Sequence, residues 1–260
     1  MSATVKTAVA DGVARLTLCR PDAMNSFDGD TARTIIDAVE GFAEDEHVRV
    51  LVLGSEGNAF SAGGDFNWVL TWPKLDAITR RVGADVMMGA VQAVYDFPKP
   101  SIARVHAAAV GGGVGLMLAC DFAVAASSAR FGLTSVRNGL LAGIAIPVLI
   151  EAVGPRMARQ LLMHGGLFDA ETALRVGLVD QVVAPEALDQ TVETLARELM
   201  LGAPSVQALI KELVPVLDAR PHDEEAANLI GEVVAAQCTT EEALEGMRAF
   251  LAKRKPGWAT

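Results

Sequence analysis

Residues 107–120, "AAAVGGGVGLMLAC", place Gly111, Gly112, Gly113 and Gly115 within five positions, and an apolar, helix-like run follows at once. Glycine loses more backbone freedom on folding than any other residue. A chain that spends four of them at the start of a helix implies that something lies against bare backbone there. Upstream, "SIARVHAAAV" (101–110) reads as an apolar strand, so the cluster turns a strand into a helix. A second turn has the same design: "AFSAGGD" (59–65) follows the strand-like "VRVLVL" (48–53) and leads toward a helical stretch.

Helix N-termini carry free N–H groups, and two such ends aimed at one place form a paired-donor hole for an oxyanion. Tight turns with glycine for packing alone would look the same in sequence. Other glycine motifs do not fit. Leu116 stands where a G-x-G-x-x-G run needs its last glycine, and no Lys-Ser or Lys-Thr follows for a phosphate loop. Ser61 sits near a nucleophile-elbow pattern, but Ala59 replaces the first glycine, and His106 or His164 could complete a triad only through the fold.

Outward from these turns, strand-like and helical runs alternate. Strands are expected at 13–18, 48–53, 101–110, 122–127 and 177–183, and helices at 31–43, 75–95 and 170–176. This is an α/β pattern with largely parallel pairing. Beyond Pro185 only helical segments follow, near 186–201, 204–218 and 223–250, with breakers at Pro204 and Pro221. "TTEE" at 239–242 offers a capping start for a further helix.

The bulk numbers exclude several classes. With 260 residues, 51% hydrophobic and 21% charged, the chain can bury a sizeable core. A net charge of −10 argues against a general nucleic-acid or anionic-membrane surface. The longest apolar run, 139–150, falls short of the ~20 residues that span a bilayer. No secretory signal pattern opens the sequence, which gives a cytoplasmic expectation. Cys19, Cys120 and Cys238 are read as small buried apolar residues, and the four histidines (His47, His106, His164, His222) lack ligand spacing, so no metal is expected.

The turns "AFSAGGD" and "HAAAVGGGVGLMLACD" resemble the paired signatures of the crotonase superfamily, the enoyl-CoA hydratase/isomerase family. "LTLCRPDAMNSF" (16–27) is similar to that family's opening strand and loop, where the adenine end of coenzyme A lies. "FGLTSVRNGLLAG" (131–143), "FDAETALRVGLVDQVV" (168–183) and "FLAKRKPGW" (250–258) match its pattern in order and spacing.

The resemblance implies a spiral of β-β-α repeats over residues 1–195 and a helical trimerisation region over 196–260, assembled as a homotrimer or a dimer of trimers. It implies an acyl-CoA thioester as ligand, with coenzyme A as part of the substrate and no separate cofactor. The thioester carbonyl would lie between the backbone N–H groups of Ala62 and Gly112. Arg20, Ala23, Asn25, Ser61, Gly63, Gly64, Asp65, Trp68, Gly111 and Lys253 would line the binding site, with Arg20, Lys253 or Arg254 facing the phosphates.

The family's hydratases use two glutamates that share one water. Here those positions hold Gly115 and Ser135, and a third place used for an acid falls near Gly143. General acid–base chemistry needs a titratable group near the reacting proton. Asp65 and Asp121 read as braces, Glu151 as solvated and His106 as structural. Asp76 and Asp85 lie on the stretch that would cover the acyl chain. Trp68, Trp72, Met87 and Met88 could line an acyl pocket or simply fill the core. The expected activity is enolate stabilisation with two-glutamate hydration absent or weak. The alternatives are a non-catalytic acyl-CoA-binding or assembly subunit, or isomerisation, decarboxylation, C–C cleavage or thioester hydrolysis.

Overall fold

The computed structural model describes residues 4–218 and 223–259. Among these, the strands are β1 (Val5–Ala10), β2 (Val13–Leu18), β3 (Val50–Ser55), β4 (Ala59–Ser61), β5 (Ser101–Val105), β6 (Ala108–Val110), β7 (Phe122–Ala126), β8 (Arg130–Gly132), β9 (Phe168–Asp169) and β10 (Gln181–Val183). The helices are α1 (Gly29–Glu44), α2 (Phe66–Val69), α3 (Ala77–Tyr95), α4 (Gly112–Leu118), α5 (Ile146–His164), α6 (Ala170–Arg175), α7 (Leu188–Leu199), α8 (Pro204–Asp218), α9 (Glu224–Gln237) and α10 (Glu241–Leu251).

A large sheet has the order β1-β2-β3-β5-β7-β10 and a small one the order β4-β6-β8-β9. Among the described strands, only the outer pairs β1/β2 and β8/β9 are antiparallel. The chain visits the large sheet, then the small sheet, then a helix, three times: β3-β4-α2, β5-β6-α4 and β7-β8-α5. This is the expected spiral of β-β-α turns.

The stretch 101–110 is therefore two strands, not one. The chain turns a corner at His106 and Ala107 to pass between sheets, where neither glycine nor proline marks the break. Strand β3 explains why its sequence is apolar on both faces. Leu51 and Leu53 point into the main core with Leu16, Phe60, Val105, Leu116 and Phe131, while Val50 and Val52 pack on Leu188, Val192 and Ala196 of α7.

The expected boundary at 195/196 falls inside α7, which is one continuous helix on the back of the large sheet. The helical region that follows is thinly attached to this core. None of α8's described residues is buried, α9 buries only Ala226, and α10 buries only Ala249. Thr240 caps α10 by accepting from the Ala243 N–H, as "TTEE" suggested. The breaker Pro221 and His222 lie outside the described residues. No single helix among those described is long and apolar enough to cross a membrane.

Candidate active site

The two glycine turns meet. Gly63 has φ +82°, and a Cβ there would stand 2.5 Å from the Gly112 nitrogen. A Cβ on Gly113 would lie 2.2 Å from the Ser61 carbonyl oxygen, and Gly111 needs its φ of +56° to leave β6. The bare backbone of the cluster thus serves the close approach of the first turn to α4.

Hydrogen bonds fix the first turn group by group. The Ser61 hydroxyl, fully buried, donates to Asn25 O (2.8 Å) and accepts from Gly63 N (3.1 Å). The Ala62 N–H donates to Met24 O (2.9 Å), and Asp65 N–H to Phe27 O (3.0 Å). In this turn only the Gly64 N–H is bonded to nothing among the described residues. This corrects the expected donor pair: Ala62 has no N–H to offer, and the neighbour with a free one is Gly64. In the second turn, Gly111 N–H donates to Gly132 O, and Gly112 opens α4 with its N–H uncommitted.

Three of the expected binding residues, Arg20, Asn25 and Asp65, frame this turn. Arg20 donates to Asp65 Oδ2 (2.9 Å) and Ser26 O (2.7 Å) and lies 3.5 Å from Asp28 Oδ2. Two carboxylates, those of Asp65 and Asp28, already compensate its charge. Asp65 also caps α2 through Asn67 N–H (2.9 Å), so this acid is a brace. Asn25, buried at φ +52°, donates to Glu56 O and Ala59 O and accepts from Arg20 N–H.

Beside Gly64 opens a cavity of about 400 Å³, lined in part by Ala23, Ser26, Ala62, Phe66, Thr134 and Asn138. Met87 packs against Gly64, its Cε 2.7 Å from where a Gly64 Cβ would stand. Trp68 and Trp72 meet edge to face with centroids 5.1 Å apart. They line a separate pocket of about 240 Å³ with Gly29, Val82 and Gly83.

The two acid positions face different surroundings. Ser135, half-buried on the 3₁₀ turn Thr134–Asn138, has its Oγ 3.4 Å from where a Gly111 Cβ would stand. Gly115 faces the 3₁₀ turn Gly143–Ala145: a Cβ there would meet Ala145 Cα at 3.1 Å and Ile144 O at 3.3 Å. Substitute acids do not reach the turns. Asp76 caps α3 at the surface, its carboxyl held below the ordinary range chiefly by the Thr79 hydroxyl. Asp85 pairs with Arg81, 2.6 Å away, also in solvent.

Several other residues are spoken for elsewhere. His106 Nε2 lies 2.9 Å from Gly57 O, and His164 Nδ1 accepts from Gly166 N–H, so neither histidine addresses Ser61. Asp121 binds Ser101 and Lys211. Glu151 accepts from the Tyr95 hydroxyl, which burial, and then Glu151, pushes up to about 12. Lys253 is exposed after α10, while Arg254 holds Glu245 at about 2 through a two-pronged pair. Cys19 and Cys120 are buried, but Cys238 is exposed on the last turn of α9, which corrects its reading as a core residue.

The enoyl-CoA hydratase/isomerase family model matches residues 8–260. A crotonyl-CoA hydratase of Syntrophomonas wolfei is 34% identical over 94% of this chain and 93% of its own. An (E)-benzylidenesuccinyl-CoA hydratase of Thauera aromatica is 33% identical over 96% of each chain. The crystal structure of an enoyl-CoA hydratase from Shewanella pealeana superposes with a TM-score of 0.94 at 31% identity, over 98% of this chain and 96% of that one. With the spiral fold, the paired glycine turns and this agreement along the whole length, the chain belongs to the enoyl-CoA hydratase/isomerase family.

Proposed function

We propose that this protein binds an acyl-CoA thioester and holds its carbonyl oxygen between the N–H groups of Gly64 and Gly112, stabilising the thioester enolate. The observation that carries this reading is the selective hydrogen bonding of the first turn. Ala62, Gly63 and Asp65 spend their N–H groups internally, and Gly64, beside the second turn, does not. Charge moves onto the thioester oxygen as the enolate forms. Donors fixed there favour that state over the ground state by roughly 3 kcal/mol each.

Two-carboxylate hydration has no residues to run on. Ser135 orients a water or a substrate oxygen but does not serve as a base unaided, and Gly115 faces packed backbone. The protein is then a lyase- or isomerase-type enzyme whose proton transfers come from elsewhere, such as the substrate or solvent. The apolar rows left open on the C-terminal helices, including Ile210, Val214, Val234, Met247, Phe250 and Leu251, support a trimer or a dimer of trimers. Calorimetry with crotonyl-CoA, butyryl-CoA and free CoA tests the ligand class, and absence of binding at millimolar concentration overturns it. Light scattering tests the assembly, and a monomer mass at micromolar concentration refutes it.

A further inference from the structure

The turn Gly143–Ala145 delivers a side chain to the hole. Ile144 is half-buried, and part of its surface packs on the main core. A Cβ on Gly112 would stand 2.5 Å from Ile144 Cδ1 and 3.3 Å from its Cγ1. The end of this side chain therefore rests on the Cα of the residue whose N–H is the second proposed donor. Met87 holds the matching place against Gly64. The two caps differ in stiffness. Methionine is unbranched and repacks readily, whereas isoleucine is branched at Cβ and held at χ1. The Ile144 backbone is also close to α4, its carbonyl oxygen 3.3 Å from where a Gly115 Cβ would stand.

A carbonyl oxygen held by the Gly112 N–H brings its carbon, and the carbon bonded to that one (C2 of the acyl group), within a few bond lengths of the Ile144 methyl. Resting on the acyl-CoA reading, the geometry points to Ile144 as a specificity-determining residue that limits substitution at C2. The site takes acyl-CoA thioesters that are unbranched at C2 and rejects those that carry a methyl there.

The experiment is calorimetry of the full chain with butyryl-CoA, 2-methylbutyryl-CoA and free CoA, for the native protein and for Ile144→Ala, Ile144→Val and Leu141→Ala. Leu141 is an exposed neighbour on the same segment and serves as the control. One methyl in a close-packed apolar site is worth about tenfold or more, so the native protein prefers butyryl-CoA by at least that factor, and Ile144→Ala reduces the preference to about twofold. Ile144→Val falls between, and Leu141→Ala leaves the ratio where it was. Melting by circular dichroism accompanies each variant, and Ile144→Val decides the matter should Ile144→Ala not fold. A ratio that is the same in the native protein and the folded Ile144 variants overturns the assignment while the acyl-CoA reading stands. No binding of either thioester by the native protein overturns both.

Discussion

The two sides of the candidate site are built on opposite principles. The hole side, residues 61–65 and 111–115, is positioned by hydrogen bonds and by missing side chains. The wall side, residues 133–145, carries two 3₁₀ turns, Thr134–Asn138 and Gly143–Ala145, with Ser135 and Ile144 set toward the hole and, in Arg137, a single titratable side chain. A backbone held from several directions keeps donors aimed at a ligand, whereas a wall of short turns tolerates exchange of what it presents. On the proposed reading, the backbone of the two glycine turns fixes the donors, while Ser135 and Ile144 are the wall residues that set chemistry and selectivity.

The largest effect is expected where the hole side has no slack. Gly113→Ala places a Cβ 2.2 Å from the Ser61 carbonyl oxygen and 2.8 Å from its carbon, and backbone cannot swing aside like a flexible side chain. The cost is on the order of 3 kcal/mol. Urea unfolding should show a large fall in midpoint, or no folded protein at all. A midpoint equal to that of the native protein would mean that the turns are not pressed together.

Next comes the wall. Restoring the two family acids, Gly115→Glu with Ser135→Glu, looks from sequence like a route to hydration. The fold opposes half of it, because a Cβ at 115 meets the Cα of Ala145 at 3.1 Å and its Cβ at 3.3 Å. We expect Gly115→Glu to cost roughly 2 kcal/mol through overpacking and a desolvated carboxylate. Ser135→Glu, at a half-buried site, should fold normally. Neither variant nor their combination should hydrate crotonyl-CoA appreciably faster than the native protein. A fast double variant would show that the turn at Gly143–Ala145 yields, and the contrast between a rigid hole and an adaptable wall would have to include this turn.

How far the sequence alone reached follows the same division. The glycine turns, the parallel strands, the C-terminal helices and the Thr240 cap were legible, because each rests on local periodicity or on a capping residue. The corner at His106 was not, since an extended apolar run looks the same whether or not it changes sheets. The very short strands β4, β8 and β9 leave no periodicity to read. The family resemblance puts the first donor at Ala62, whereas the structure leaves the free N–H at Gly64. Which of them keeps a free N–H depends on Met24 and Phe27, whose carbonyls arrive from a different segment. Ile144 was missed for the same reason: only the fold sets its side chain on Gly112.

A smaller effect should separate bracing from ligand binding on the hole side. Arg20→Ala leaves Asp65, only 7% exposed, with the Asn67 N–H as its remaining partner. The loss is about 1–2 kcal/mol, between the values for surface and buried pairs. Because Asp28 and Asp65 already neutralise Arg20, the salt dependence of CoA binding should stay as it is in the native protein. Calorimetry at two ionic strengths measures this. A weakened salt dependence in Arg20→Ala would return Arg20 to the phosphates.

The smallest effect is the pH dependence contributed by Asp28, which neighbours Arg20 behind the first turn. Burial pushes the Asp28 carboxyl upward, but the Thr31 backbone and side-chain hydrogen bonds and the Arg20 charge outweigh it, so its pKa lies below the ordinary 3.8. A carboxylate whose folded pKa is depressed contributes stability that is complete above its unfolded value. That contribution is lost as pH falls below 3.8 toward the folded value. Asp28→Asn is the selective probe. Asparagine also caps helices well and can accept from Thr31 N–H, so α1 keeps its start while the titration disappears. Plotted against pH, the stability difference between native protein and variant should be constant above about pH 5 and shrink as the solution is made more acidic. The Asp28–Arg20 contact of 3.5 Å is partly exposed, with side chains 30% and 22% accessible, so added salt should reduce the difference further. A difference that grows with acid would reverse the sign assigned to Asp28 and remove it from the bracket that holds Arg20 in place.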